Sequence, residues 1–364
     1  MLLNLLKKIG AWFHKYESRL MPASLIFGFI VDYFTLNKVD SVFDNAILLG
    51  HLTITATAIA LIYSTHSLSP KKWYQFISPV LPVLMQFSLG GLFSGLIVFY
   101  SRSGSFFASL PFIATLLVLL IGNEFVHKKF PRFTFQVSLW YIALFSYLAL
   151  ITPVVLRSIN ELTFVLAGII SLLIIYLYLK VIGFVIPKNF SIKKVPLFGS
   201  IISIYLLFNI FYFTNIIPPI PLALKSGTVA HSVTRSDTGS YNVKTEVREW
   251  YDIMGFYRTT FHRTASEPVY IFSSVFAPTK FNETVFHDWS LYNKNTNRWV
   301  RKSRIPIQIY GGREEGFRGY SFKENMEPGL WRVDIETKRG QVIGRIKFTV
   351  ENTKKQVELK SEIY

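Results

Sequence analysis

Apolar runs of about 20 residues, the length an α-helix needs to cross a hydrocarbon core, recur through the first 217 positions of this chain. Seven are read: 21–37, 43–64, 76–100, 104–124, 134–156, 162–180 and 197–217. The breaks between them are short and polar or proline-bearing, as at Asn37-Lys38, Ser69-Pro70-Lys71-Lys72, Ser101-Arg102-Ser103-Gly104 and Pro187-Lys188-Asn189. Connections this short predict spans packed as a bundle. Composition agrees, because charged residues make up only 17% of the chain against roughly 25% in soluble proteins. The absence of cysteine removes disulfides, thiolate metal sites, iron–sulfur clusters and thiol nucleophiles.

A formal net charge of +17 raises nucleic acid as a partner, and the placement of the charges answers it. Twelve basic residues fall on one side of the spans: Lys7, Lys8, Lys15, Arg19, Lys71, Lys72, Lys128, Lys129, Arg132, Lys188, Lys193 and Lys194. The opposite side holds Lys38, Arg102 and Arg157. This asymmetry predicts a cytoplasmic N-terminus and, with an odd number of spans, an extracytoplasmic chain after Ile217. The positive charge is therefore chiefly a topology signal, and no nucleic acid is expected. In residues 1–19, Leu2, Leu5, Leu6, Ile9, Trp12, Phe13 and Tyr16 recur at helical spacing. They predict an amphipathic helix lying in the inner headgroup layer and not a cleaved signal peptide. The transmembrane part is placed at 20–218.

Beyond Pro218-Pro219-Ile220-Pro221 the helical period gives way to alternation. Strands are predicted at Val269–Ala277, Thr284–Tyr292, Arg301–Tyr310, Phe317–Lys323, Leu330–Thr337 and Gln341–Glu351, with turn signals such as Gly311-Gly312 and Glu327-Pro328-Gly329 between them. Ile305, Ile307 and Ile309 share one strand face, as do Ile346, Phe348 and Val350. Short strands at this spacing predict an all-β, Ig-like sandwich over 241–352. Residues 219–240 read as a linker, Tyr241–Trp250 as a further strand, and 353–364 as a C-terminal tail.

The run Gly311-Gly312-Arg313-Glu314-Glu315-Gly316-Phe317-Arg318-Gly319-Tyr320, followed by Pro328-Gly329-Leu330-Trp331-Arg332-Val333, resembles the bacterial domain-of-unknown-function family 2914. Val269-Tyr270-Ile271-Phe272, His287-Asp288-Trp289 and Ile343–Val350 add to the resemblance, which spans 241–351. The family implies a C-terminal β-rich module after several membrane helices and an envelope location. It implies no activity, so no catalytic residue is carried over.

Ionisable groups inside a membrane are costly and mark sites or helix ties. Asp32, His51 and Arg102 fall at similar depth near the outer ends of their spans, and Gln86 joins them as a further polar residue. They either line a path for an ion or small solute or tie helices together at the interface. Gly90/Ser94 and Gly91/Gly95 have the small-xxx-small spacing that lets helices approach closely. In the β half, Gly311–Gly319 lacks the Gly-Lys-Ser/Thr ending of a phosphate loop, and its glycines fit a tight turn of positive φ. Arg313 and Arg318 either bind an anion or pair with Glu314 and Glu315. Trp289 and Trp331 are expected in the core, while Trp250 and Trp299, at strand ends, are the candidates for surface contact.

His287 and Asp288 are adjacent in a strand and so point to opposite faces; His231 and His262 lack companions at ligand spacing. No catalytic residue, metal ligand or cofactor is expected, and neither is an enzyme. The reading is a multi-pass protein of the cytoplasmic (inner) membrane, in contact with the lipid bilayer, whose β domain binds or scaffolds an envelope polysaccharide, anionic lipid or membrane protein. The alternative is a small-solute or ion transporter with the β domain as accessory.

Overall fold

The computed structural model describes residues 27, 30–36, 39–64, 71–102, 110–116, 118, 132–185, 187–219, 221–237, 239–247, 259–264, 267–313, 315–355 and 357–364. The leader 1–19 and Trp250 lie outside the described residues. The chain divides into a helical unit ending at Ile217 and a β-rich unit beginning at Pro218.

The helical unit contains α1 (Val42–Tyr63), α2 (Lys72–Ile77), α3 (Leu81–Arg102), α4 (Arg132–Leu156), α5 (Glu161–Val185) and α6 (Pro187–Phe213). Residues 30–35 and 110–116 are also helical. Among the described residues five stretches, at Val42–Tyr63, Leu81–Ser101, Phe133–Leu156, Glu161–Phe184 and Val195–Phe213, are long and apolar enough to cross a membrane. The expected spans 21–37 and 104–124 are described only in part.

Ser41 caps α1 by accepting the Asp44 N–H at 3.3 Å, satisfying one of the donors that a helix start leaves open. Helix α3 is buried along Leu89, Leu92, Phe93, Leu96 and Phe99. Its small residues serve the close approach that their spacing implies. A methyl group at Gly91 would lie 2.6 Å from His51 Nε2, and one at Gly95 would lie 2.7 Å from Leu48 Cδ2 and 2.8 Å from Leu36 Cδ1. Side chains then bond the neighbouring helices through backbone carbonyls: Trp140 Nε1 donates to Leu52 O at 3.0 Å, Tyr178 OH to Ala56 O at 2.8 Å and Tyr100 OH to Ser146 O at 2.9 Å. By contrast, α5 and α6 present Leu162, Ile169, Leu173, Phe184, Ile202 and Ile210 outward.

The β unit has eleven strands among the described residues: β1 (Ala223–Ala230), β2 (Ser232–Arg235), β3 (Tyr241–Glu246), β4 (Thr259–Arg263), β5 (Val269–Phe276), β6 (Asn282–Asn293), β7 (Arg298–Tyr310), β8 (Phe317–Lys323), β9 (Gly329–Thr337), β10 (Val342–Asn352) and β11 (Leu359–Ile363). They form three sheets, ordered β1-β5-β8, β4-β10-β9-β6-β7 and β11-β3-β2. The first two share one core, built from Val229, Val269, Ile271, Trp289, Trp331, Val333, Phe348 and Val350. Trp289 and Trp331 are buried there, and Ile305 and Ile346 pack against it. The other face of β5 carries Phe272, which packs with Val233, Tyr241 and Val243 of the third sheet.

Two boundaries differ from those expected. The stretch 219–240 contains β1 and β2, and the tail 353–364 contains β11. Their Ser-, Thr- and Lys-rich sequences carry weak strand signals. Pairing with β5 and β3 supplies what local propensity lacks, because strand preference is dominated by neighbours.

Candidate functional site

Strands β10, β9, β6 and β7 are adjacent, so residues of like parity form rows across the face of the five-stranded sheet turned away from its core. The β6–β7 hairpin is set by Asn293, whose side-chain oxygen accepts the N–H groups of Asn295 (2.9 Å) and Thr296 (3.2 Å). Asn297 closes the turn at φ +51°. Tyr292 then stands opposite Trp299, with ring centroids 5.2 Å apart. The next row reads Lys347, Arg332, Ser290, Arg301. The row beyond reads Arg345, Asp334, Asp288, Arg304, and after it Glu336 stands opposite Phe286.

The carboxylates of this face lie low and the guanidinium groups cover them. Asp288, Asp334 and Glu336 are 4%, 6% and 6% exposed, whereas the Arg301 side chain is 58% exposed. Arg345 grips both oxygens of Asp334, with Nε at 2.5 Å and Nη2 at 3.0 Å, the bidentate geometry that a planar guanidinium favours. Arg332 Nε approaches Asp334 Oδ2 at 3.1 Å, Arg304 Nη2 approaches Glu336 Oε1 at 3.1 Å, and Arg301 pairs with Asp288. Two of the cations also stack: Arg304 lies 4.2 Å above the Phe286 ring and Arg332 4.6 Å above Trp299.

Burial, assisted by the charge of Asp288, raises the Glu336 carboxyl above its ordinary pKa. Burial also lowers the Arg332 guanidinium against the opposing pull of Asp334, and the charge of Arg345 adds to the lowering. Five basic groups thus face three acidic ones, and the row Lys347, Arg332, Ser290, Arg301 has no carboxylate of its own. Like charges directly opposite on neighbouring strands destabilise a sheet. An anion lying along this row would meet a net excess of positive charge, and the half-buried rings of Trp299 and Tyr292 flank it.

Sequence reasoning singled out Trp299 on this face but not the charged residues around it. The signal was present, because Arg332-Val333-Asp334-Ile335-Glu336 alternates at the period of a strand and puts all three charges on one side. Arg313 and Arg318 stand elsewhere. Arg313 is exposed in the β7–β8 connection, 5.9 Å above Phe317; Arg318 lies on β8 on the side opposite the core-facing Gly319 and Ser321. Two glycines of the run Gly311–Gly319 take positive φ, +99° at Gly312 and +84° at Gly316, whereas Gly311 and Gly319 do not.

The three histidines of the β unit separate into two environments. His287 is fully buried in the shared core, its Nε2 2.9 Å from Ser273 Oγ and its Nδ1 2.8 Å from Ser321 Oγ. Burial pushes it down to about 3. Asp288 points to the opposite face, as strand alternation requires. His231, at the bend where β1 passes into β2, lies between Glu267 (Nδ1 to Oε1, 2.7 Å) and Glu246 (Nε2 to Oε1, 3.2 Å). His262 Nδ1 reaches the other oxygen of Glu246 at 2.9 Å. These histidines do have companions, brought from β3 and the β4–β5 connection. No group of three or more His, Asp or Glu among the described residues is arranged to hold a metal ion.

In the helical unit Asp32, 3% exposed, accepts a hydrogen bond from Ser94 Oγ at 2.7 Å. That hydroxyl also lies 3.0 Å from Gly91 O, and His51 packs on Gly91. Gln86 is buried on the same helix, α3. The side chain of Arg102 lies outside the described residues.

The comparisons bear on the five-stranded sheet. Residues 282–350 match the family described as Protein of unknown function (DUF2914). The match runs from the start of β6 into β10 and so includes every residue of the charged rows. No curated protein matches the chain. Solved structures similar to part of it include a β-glucosidase from Listeria innocua in complex with gluconolactone, at 12% identity and a TM-score of 0.19, covering 30% of this chain and 16% of that one. The alkylpurine DNA glycosylase AlkC of Pseudomonas fluorescens, bound to DNA containing an abasic site analog, is similar at 10% identity and a TM-score of 0.22, covering 87% and 100%. The chain thus spans about a sixth of the length of the β-glucosidase, and at these scores neither likeness bears on fold or function.

Proposed function

We propose that the protein is a multi-pass component of the cytoplasmic membrane whose extracytoplasmic β unit binds an anionic polymer of the cell envelope. The five apolar helices and the outward Leu, Ile and Phe side chains of α5 and α6 support a lipid surrounding, since exposed apolar surface of this extent marks a non-aqueous partner. The excess of Lys and Arg in one set of loops supports a cytoplasmic N-terminus and an external β unit. The two sheets that share a core read as an Ig-like sandwich extended by the sheet β11-β3-β2.

One observation carries the reading: the row Lys347, Arg332, Ser290, Arg301 concentrates positive charge beside two aromatic rings and above carboxylates that hold the guanidinium groups in place. A polymer bearing carboxylate or phosphate groups would pair with the arginines, and its sugar rings would stack on Trp299. The test is binding by the full chain in nanodiscs to a phosphorylated lipopolysaccharide and to an uncharged glucan. Retention of the charged polymer, weakened at least tenfold in Arg301→Ser with Arg332→Ser, is expected. Equal retention of both polymers, or indifference to the double substitution, would refute the reading.

A further inference from the structure

The face just described leaves unused Asp32, the most deeply buried carboxylate among the described residues of the helical unit. Asp32 projects from the short helix 30–35 onto α3, where Ser94 Oγ donates to its Oδ2 at 2.7 Å. One turn earlier on α3, Gly91 leaves room for His51 of α1. A methyl group there would stand 2.6 Å from Nε2 and 2.9 Å from both carbons beside it, so the ring lies flush on the backbone. The edge of Phe87 closes on the imidazole at 5.7 Å, and His51 Nδ1 is buried with no hydrogen-bond partner among the described residues. Asp32, bonded to Ser94, and His51, packed on Gly91, thus meet the same turn of α3.

The other charged residues near this pair in sequence or expected depth are Lys38, Asp40, Asp44 and Arg102. Between Leu81 and Ser101 α3 has no Asp, Glu, Lys, Arg or His; α4 has none between Phe133 and Leu156; and on α1 the remaining group of these types is Asp44, two turns before His51. A lone carboxylate in an apolar bundle carries a large desolvation penalty, and two changes relieve it. A proton can occupy Asp32, leaving an acid and a neutral imidazole, or it can occupy His51, leaving an ion pair. Both forms hold the same number of protons and differ by one transfer between a carboxylate oxygen and a ring nitrogen. A second proton converts the pair to acid plus imidazolium.

The geometry points to a proton-binding site formed by Asp32 and His51 across the Gly91–Ser94 turn of α3, with Ser94 as the positioning residue for the carboxylate. Its ligand is the proton itself, and its occupancy is tied to the contact between α1 and α3. This site is independent of the polymer-binding face, so failure of either leaves the other standing.

The test is pH-difference infrared spectroscopy on the full chain in liposomes, together with nitrogen NMR of labelled histidine, between about pH 4 and pH 9. A protonated-carboxyl band should appear with the same midpoint as the His51 resonance. Asp32→Asn should abolish the band and displace the His51 midpoint by tenfold or more in proton concentration, Ser94→Ala should shift the band frequency, and Asp40→Asn should leave both unchanged. Circular dichroism and size-exclusion profiles like those of the unsubstituted chain establish that the variants fold. A band that survives Asp32→Asn, a His51 midpoint that ignores it, or a band that moves on replacing choline by sodium at constant pH would overturn the proposal, the last by making the site one for a metal cation.

Discussion

Arg332 stands directly opposite Lys347 in the β9–β10 ladder, while its guanidinium group lies over the ring of Trp299 on the far edge of the same sheet. Two cations in register cost a few tenths to about 1 kcal/mol, and burial makes the charged form of Arg332 less favourable than it is in water. Arg332→Met keeps a long apolar stem over Trp299, removes the charge, and leaves Asp334 in the grip of Arg345. Unfolding of the β unit, followed by tryptophan fluorescence, should occur at equal or slightly higher denaturant. Affinity for the charged polymer should fall about tenfold or more.

Asp334 behaves in the opposite way. It is nearly inaccessible and is the shared partner of Arg345 and Arg332. Asp334→Asn preserves shape but leaves two partly buried guanidinium groups without their carboxylate. Removing one partner of a buried pair costs about 3–5 kcal/mol, and the midpoint of denaturation should drop accordingly. A change below about 1 kcal/mol would place the pair energetically among surface salt bridges.

The cluster around His231 makes the docking of the third sheet depend on pH. Burial opposes the charged imidazole, yet hydrogen bonds and charges from Glu246 and Glu267 outweigh it and raise the His231 pKa. Against burial, His231 and His262 lower Glu246, and Thr264 with His231 lowers Glu267. A raised histidine stabilises fully below its unfolded value near 6.5 and loses that contribution as pH rises through the folded value. Lowered glutamates stabilise above about 4.5 and lose their contribution as pH falls through the folded values. Hydrogen exchange of β2, β3 and β11 should therefore be slowest between these limits. In His231→Gln the alkaline increase should disappear.

The strands legible in the sequence are those whose alternation is strongly apolar. Phe317–Lys323 is observed with the expected bounds, and Ile305 and Phe348 face the core as their spacing predicts. Strands β1, β2 and β11 were hidden because their alternation is polar and their order comes from ladders to distant strands. The charged face was half legible. Parity places Arg332, Asp334 and Glu336 together, but Asp288 arrives from β6, 46 positions before Asp334, and nothing local announces that the carboxylates are covered. In the helical unit, topology placed Asp32 and His51 at one depth. Ser94 joined them through a contact 62 residues long in sequence, which small-residue spacing alone marked only as helix packing.

His287 provides a pH response distinct from that of His231. It sits between Ser273 and Ser321, and burial alone lowers it to about 3. In the unfolded chain the imidazole takes a proton near pH 6.5, so as pH falls the unfolded state gains a proton that the folded core refuses. Stability is then lost progressively from about 6.5 down to about 3, by roughly 5 kcal/mol in all. The lowered glutamates change their contribution only below about 4.5 and His231 mainly above about 6.5, so the fall in stability between these limits comes chiefly from His287 and is opposed by Glu336, whose raised carboxyl takes up its proton first in the folded state. His287→Gln should flatten the denaturation midpoint across that interval. At neutral pH it should cost about 1–3 kcal/mol, because an amide cannot satisfy both serine hydroxyl groups in the imidazole's geometry. A slope that persists in the variant would assign the acid response to another group.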